Sequence, residues 1–207
     1  ARRDLCGGVR VTGRSTTTKS RGGAVTPNEI CSDIRFLLSK VGAKSEPVFL
    51  PSRPVAGAPL NECFPIVDKK VESAGGKKVL GWQIWKTPLL VEAEFHAVWE
   101  SPEGDLIDIT PKSLPLAKIL FLPDEAAVYE GKQVNNIRVN TTGNQLVDDF
   151  IAVCNAIFRI ENKGDRAFQY ELSLSGDEAQ AYHMLTKARE LLEVMALQGM
   201  NRKSPRG

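Results

Sequence analysis

The chain has 207 residues and is 42% hydrophobic, which is enough to bury the core of one domain and excludes wholesale disorder. Its net charge of +2 is unevenly distributed, because residues 1–25 hold six Lys or Arg and one Asp while the remainder is mildly acidic. No apolar run approaches the roughly 20 residues of a membrane-spanning helix, so a membrane protein is not expected.

The two ends of the chain are basic. Residues 1–25 are rich in Gly, Ser, Thr and Arg without apolar periodicity, and they predict a flexible basic arm. Such an arm can neutralise the phosphates of a nucleic acid. A solvated tail is the preferred interpretation, because no aromatic residue is interleaved for base stacking. Residues 26–199 are expected to form a single domain of catalytic type, and residues 200–207 a basic tail.

Helices and strands alternate through the rest of the sequence. Thr26, Pro27 and Glu29 predict a capped helix that Gly42 ends. The later elements are predicted in this order: a strand at 47–50, a loop at 51–60, a helix in "PIVDKKVESAG", strands at 78–85, 89–99, 105–110, 118–122, 126–130 and 135–140, a helix in "QLVDDFIAVCNAIFRI", a strand in "FQYELSLS" and a helix in "DEAQAYHMLTKARELLEVMALQG". This order predicts an α+β fold in which helices pack on an antiparallel sheet.

The cysteines and histidines limit the chemistry. The four cysteines are scattered, which is typical of reduced thiols in a cytoplasmic protein: Cys6, Cys31, Cys63 and Cys154. Since His96 and His183 are the only histidines, no zinc-ligand spacing can be assembled from local motifs. We therefore expect neither a metal nor another cofactor.

Cys63 differs from the other cysteines because it is expected at the start of a helix. Pro65 has no N–H and is tolerated only in the first turn of a helix or just before it. A thiol at this position lies at the positive end of the helix dipole, which favours the nucleophilic thiolate. The unpaired backbone N–H groups there could also stabilise an oxyanion.

The stretch "EFHAVWESPEGDLIDITP" predicts a β-hairpin that carries His96 and Asp108 on facing arms. Alternation places His96 on the polar face of the first arm, towards solvent or a cleft, and Asp108 on the polar face of the second. A three-residue turn at 101–103 would put the two residues directly opposite, with Cβ atoms about 4.5–5.5 Å apart. The carboxylate would then orient the imidazole, leaving its other nitrogen to take a proton from Cys63.

The three motifs "NECFP", "FHAVW" and "LIDITP" resemble, in this order, the transglutaminase-like branch of the papain-like thiol enzymes. The resemblance covers about residues 60–111. It implies a transglutaminase-like core, with Cys63 as nucleophile, His96 as general base and acid, and Asp108 as the residue that orients the imidazole.

Three further residues are candidates for substrate binding. Asn61 could cap the helix or donate to an oxyanion, and the cap is preferred. Trp82 is expected in the core or in the wall of a pocket. Glu94 is expected on a solvated strand surface or on the rim of a cleft that selects cationic substrates.

Together these features predict a thiol-dependent hydrolase or acyltransferase that acts on an amide bond of a peptide or similar substrate. Protease, deamidase and transglutaminase chemistry are all compatible with the motifs. The alternative is a non-enzymatic binding module of the same fold that docks on nucleic acid or an acidic partner through its basic ends. The sequence does not indicate an oligomeric state.

Overall fold

A computed structural model describes residues 9–11, 23–169 and 171–203, with side chains described over 23–169 and 171–200. Most of the predicted flexible arm and residues 204–207 of the predicted basic tail therefore lie outside the described residues. Within the arm, the structure describes a short strand, Val9–Val11, which pairs with the strand Leu172–Leu174.

The described residues form four α-helices, a 3₁₀-helix and eight strands. The helices are α1 (Ser32–Val41), α2 (Cys63–Ala74), α3 (Gln145–Glu161) and α4 (Gly176–Lys203), with the 3₁₀-helix at Gly164–Phe168. The strands are β1 (Val9–Val11), β2 (Val48–Pro51), β3 (Lys77–Lys86), β4 (Leu90–Glu100), β5 (Leu106–Ile107), β6 (Lys118–Pro123), β7 (Ile137–Asn140) and β8 (Leu172–Leu174). The predicted α+β class, with an antiparallel sheet and packed helices, is confirmed.

The main sheet curls until its two edges meet. Its strands follow the order β2-β6-β3-β4-β5, and all neighbours are antiparallel. On the side of β4 opposite β3, β5 pairs with residues 99–100 and β7 pairs with residues 90–93. Beyond the end of β2, Ser52 forms a parallel bridge with Asp108, which follows β5. Leu50, Val98 and Phe121 fill the space inside this curl. The bridge therefore brings the loop after β2 beside the segment that carries Asp108.

Helices cover the other face of the curled sheet. Ile34 and Leu37 of α1 pack in one cluster with Ile84 and Val91 of the central strands. Farther along the sheet, α2 packs on β4 and on the residues around β5, with Val67 in the same cluster as Ala97, Ile107 and Ile109. This packing fixes the helix that carries Cys63 against the strand that carries His96.

The predicted first helix and the predicted strand at 126–130 differ from the structure. The first helix begins at Ser32 and not at Thr26. Val25 and Lys86 exchange two backbone hydrogen bonds of 2.9 Å, and the Thr26 hydroxyl donates to the Lys118 carbonyl at 3.0 Å, so this segment is held extended against the sheet. Residues 126–130 are a loop and not a strand.

The loop after β6 has a local cause. The Asp124 side chain accepts a hydrogen bond from the Ala126 N–H at 3.2 Å, which turns the chain as β6 ends. Within the described ranges, every helix is too short or too polar to cross a membrane.

Candidate active site

Cys63 is the first residue of α2, as predicted from Pro65. The chain reaches it through Asn61, whose φ of 61° is left-handed, a conformation that asparagine tolerates better than most residues. The Asn61 N–H donates to the Pro111 carbonyl at 2.9 Å. This bond ties the approach to Cys63 to the segment that follows Asp108.

The start of α2 leaves backbone donors beside the sulfur. The Ile66 N–H donates to the Glu62 carbonyl at 3.3 Å, while Pro65 has no N–H. The N–H groups of Cys63 and Phe64 precede the first intrahelical bond, so the helix itself does not use them. Glu62, and not Asn61, occupies the N-cap, and no side chain caps the helix. The preferred interpretation of Asn61 as the cap is therefore wrong.

The hairpin register differs from the predicted one by two residues. Trp99 pairs with Ile107, and Glu100 pairs with Leu106, so the turn has five residues at 101–105 and not three. Because the shift is an even number of residues, it leaves every side chain on its predicted face. His96 and Asp108 are consequently diagonal neighbours, and His96 Nε2 lies 3.0 Å from Asp108 Oδ1.

Asp108 is completely buried, and both of its oxygens are satisfied. Oδ1 interacts with His96 and accepts from the Thr110 N–H at 3.3 Å. Oδ2 accepts from the Ser52 hydroxyl at 3.2 Å and from the Lys112 ammonium. Burial acts to raise the pKa of this carboxyl, but the hydrogen bond and charge of His96, together with Lys112, lower it well below its usual range. The residue is therefore a carboxylate at neutral pH.

His96 lies between Asp108 and Cys63. The residue is 5% exposed, so it is buried and does not face solvent. Burial is the largest single influence and acts to lower the pKa, but the charge of Cys63, hydrogen bonds to Asp108 and Cys63, and the charge of Asp108 raise it to about 9. Since Nε2 is bonded to Asp108, Nδ1 is the nitrogen left for the Cys63 sulfur. The sequence-predicted residues therefore come together: Asp108 is hydrogen-bonded to His96, and Cys63 is close enough to act on the pKa of His96.

The other candidate residues have different surroundings. The Trp82 indole donates to Asp124 at 3.1 Å, and its ring packs edge-on to Phe95 in the core under α1. Glu94 accepts a 2.7 Å hydrogen bond from the Trp85 indole. Both residues thus hold the sheet together through contacts that do not involve Cys63.

Three residues in or beside this group were not predicted from the sequence. Ser52 and Lys112 both bind Asp108. Lys112 follows Asp108 by four positions, whereas Ser52 lies in a loop rich in Pro and Gly and has no local signal. Tyr129, from the loop after β6, stacks on Phe64 with ring centroids 3.7 Å apart and an interplanar angle of 4°. Burial, followed by the charge of Cys63, raises the pKa of Tyr129.

The remaining described cysteines lie in other environments. Burial raises the pKa of Cys154 to about 11, so this thiol is protonated at neutral pH. Cys31, at the N-cap of α1, is half-buried and free. Within the ranges that the structure describes, no group of three or more His, Cys, Asp or Glu side chains could hold a metal ion.

Comparison of the chain with protein-family models, with curated proteins and with solved structures finds no match. The resemblance to transglutaminase-like enzymes therefore depends on the three motifs around Cys63, His96 and Asp108.

Proposed function

We propose that the chain is a thiol-dependent hydrolase or acyltransferase that acts on an amide bond through an acyl-thioester on Cys63. The observation that supports the proposal best is the position of His96, whose Nε2 lies 3.0 Å from a buried carboxylate and whose pKa is raised by Cys63. A nucleophile, a base and a residue that orients the base are the three parts that covalent acyl transfer requires.

The first half of the reaction forms the thioester. The Cys63 thiolate attacks the carbonyl carbon, and the C=O electron pair moves onto the oxygen, where the backbone N–H groups at the start of α2 can stabilise it. The His96 imidazolium then gives its proton to the leaving nitrogen as the C–N bond breaks. The acyl group remains on sulfur, and His96 is neutral.

The second half of the reaction decides between hydrolysis and transfer. Water or an amine attacks the thioester carbon while His96 takes the proton of the attacking group, and the thiolate leaves. Asp108 holds the imidazole in one orientation throughout. The proposed substrate is a peptide or another amide-containing molecule, and its side chain would lie near the stacked rings of Phe64 and Tyr129.

The arrangement also supports a transglutaminase-like core, in which a helix that begins at the nucleophile packs on adjacent strands that position the base and the carboxylate. Three free cysteines among the described residues favour a reducing compartment such as the cytoplasm: Cys31, Cys63 and Cys154.

Acylation by an activated ester tests the proposal without knowledge of the natural substrate. In a Cys6→Ser, Cys31→Ser background, a short incubation with p-nitrophenyl acetate followed by acid quench should add one acetyl group to Cys63, as located by peptide mass spectrometry. His96→Ala should slow this acylation by about 10²-fold or more, because general base catalysis contributes at least that much.

Two controls define the outcome. Cys63→Ala should abolish the adduct, and His183→Ala should leave the rate unchanged, because His183 is an exposed residue of α4. Acylation of Cys63 no faster than that of a small free thiol, or equally fast after His96→Ala, would show that the three residues do not act as a catalytic group.

A further inference from the structure

Lys112 is the fourth member of the buried group. Its side chain is only 8% exposed, and its ammonium binds Asp108 Oδ2, while His96 binds Oδ1 of the same carboxylate. Lys112 also donates to the Thr110 carbonyl at 3.4 Å. The carboxylate therefore lies between two cationic partners, one on each oxygen.

A buried ammonium is costly, because it has lost its hydration and must be compensated by pairing with an opposite charge. Orientation of His96 does not require a cation, since the Ser52 hydroxyl and the Thr110 N–H already bind the two oxygens of Asp108. What Lys112 adds to the group is a positive charge.

We propose that Lys112 is a positioning residue that keeps the group of Cys63, His96 and Asp108 electrically neutral during the reaction. This inference rests on the proposed function. With Lys112 present, the charges cancel in the thiolate–imidazolium form, in the thiol–imidazole form and in the acyl-thioester form with neutral imidazole. Without it, each of these buried states would carry one net negative charge.

The neutral state matters because the proton of His96 must be both held and released. An unopposed carboxylate would hold the imidazolium proton more strongly and so hinder its transfer to the leaving nitrogen. The positive charge of Lys112 at Oδ2 offsets part of the attraction between the carboxylate and that proton. Removing Lys112 must therefore raise the pKa of His96, and removing the Asp108 charge must lower it.

The surroundings of His96 contain few other charges. α2 contributes Cys63, and the segment after β5 contributes Asp108 and Lys112. β3 places Gly81 opposite His96, and β6 contributes Phe121, so neither of these strands presents a titratable group to the ring. On β4 itself, Glu94 is hydrogen-bonded to Trp85.

Titration of the imidazole by NMR tests the inference without any substrate. The chain has two histidines, so His183→Gln leaves one imidazole Cε1–H signal, that of His96. In this background Lys112→Met should raise the midpoint by roughly one pH unit, because a like charge is removed from the same carboxylate. Lys112→Arg should leave the midpoint nearly unchanged. The control is Lys77→Met, which removes an exposed lysine from β3 and should not move it.

A midpoint that is unchanged or lower in Lys112→Met would overturn the inference. If this variant does not fold, the double variant Asp108→Asn/Lys112→Met decides, because it removes both charges and restores neutrality. The double variant should fold under conditions in which Lys112→Met does not, and failure to do so would also overturn the inference. Since the titration involves no acyl transfer, a raised midpoint together with an unreactive Cys63 would reject the proposed function alone.

Discussion

Asp108→Asn tests how much of the basicity of His96 comes from the buried carboxylate. The pKa of His96 is about 9, against 6.5 for an unperturbed histidine, although burial acts to lower it. Asp108 contributes two of the four influences that raise it, a hydrogen bond and a charge, and Cys63 contributes the other two. Asparagine keeps the shape of the side chain and removes the charge. Since an opposite charge within about 4–6 Å shifts a pKa by about 1–3 units, we expect the pKa of His96 to fall by roughly 1–2 units.

The shift can be measured as a change in stability with pH. Because the pKa of His96 is higher in the folded state than in the unfolded chain, protonated His96 stabilises the fold fully below pH 6.5. This contribution is lost as the pH rises through 9. The difference between the two pKa values corresponds to about 3 kcal/mol, an upper value because Cys63 contributes to the shift. In Asp108→Asn the stability that is lost with rising pH should be smaller by about 1–3 kcal/mol, and the loss should occur at lower pH.

The assay is urea unfolding at several pH values between about 6 and 10, for the wild type, Asp108→Asn and His96→Gln. The His96→Gln variant lacks the titrating group and provides the baseline at each pH. Glu100→Gln, which removes a half-buried carboxylate that pairs with Lys77 at the surface, is the control for a general charge effect. The reasoning fails if the wild type loses no stability relative to His96→Gln across this range, or if Asp108→Asn follows the wild-type curve.

Three other substitutions test packing, two of them near the site and one in α4. Tyr129→Ala removes the ring stacked on Phe64 and should lower the free energy of unfolding by about 1–2 kcal/mol in urea, and no change would contradict the stack. Gly81→Ala should destabilise by about 3 kcal/mol or more in the same assay, because its Cβ would lie 2.2 Å from the Leu122 carbonyl oxygen, and wild-type stability would contradict the β3–β6 register. Gly199→Ala is the opposite case, in a helix with its nearest neighbour 4.0 Å away. The substitution should raise the free energy of unfolding by about 0.5–1 kcal/mol, and a loss of stability would contradict the placement of Gly199 in a helix with space for a methyl group.

The parts of the site that follow from local rules could be predicted from the sequence. Pro65 restricts where α2 can begin, which places Cys63 at the helix start. The two-residue period of a strand puts His96 and Asp108 on one face, and that relation survives the change of register. The turn length could not be predicted, because it depends on hydrogen bonds within the turn. The Ser101 side chain accepts from the N–H groups of Glu103 and Asp105, and these bonds stabilise a five-residue turn.

The parts that depend on distant segments were missed. Ser52 reaches Asp108 only because the sheet curls and brings the end of β2 beside the segment after β5. The capping signal at Thr26 was overridden by hydrogen bonds from the same segment to β3 and β6. Tyr129 reaches Phe64 through a loop whose path no local pattern specifies.

The most direct test of the central claim is the rate at which Cys63 reacts with iodoacetamide at pH 7, measured by peptide mass spectrometry with and without His96. Cys154, whose pKa burial raises to about 11, provides an unreactive reference thiol in the same molecule. If His96 holds Cys63 as the anion of an ion pair, Cys63 is alkylated first and His96→Ala slows its alkylation at least about tenfold. Equal rates for Cys63 in the wild type and in His96→Ala would contradict the claim.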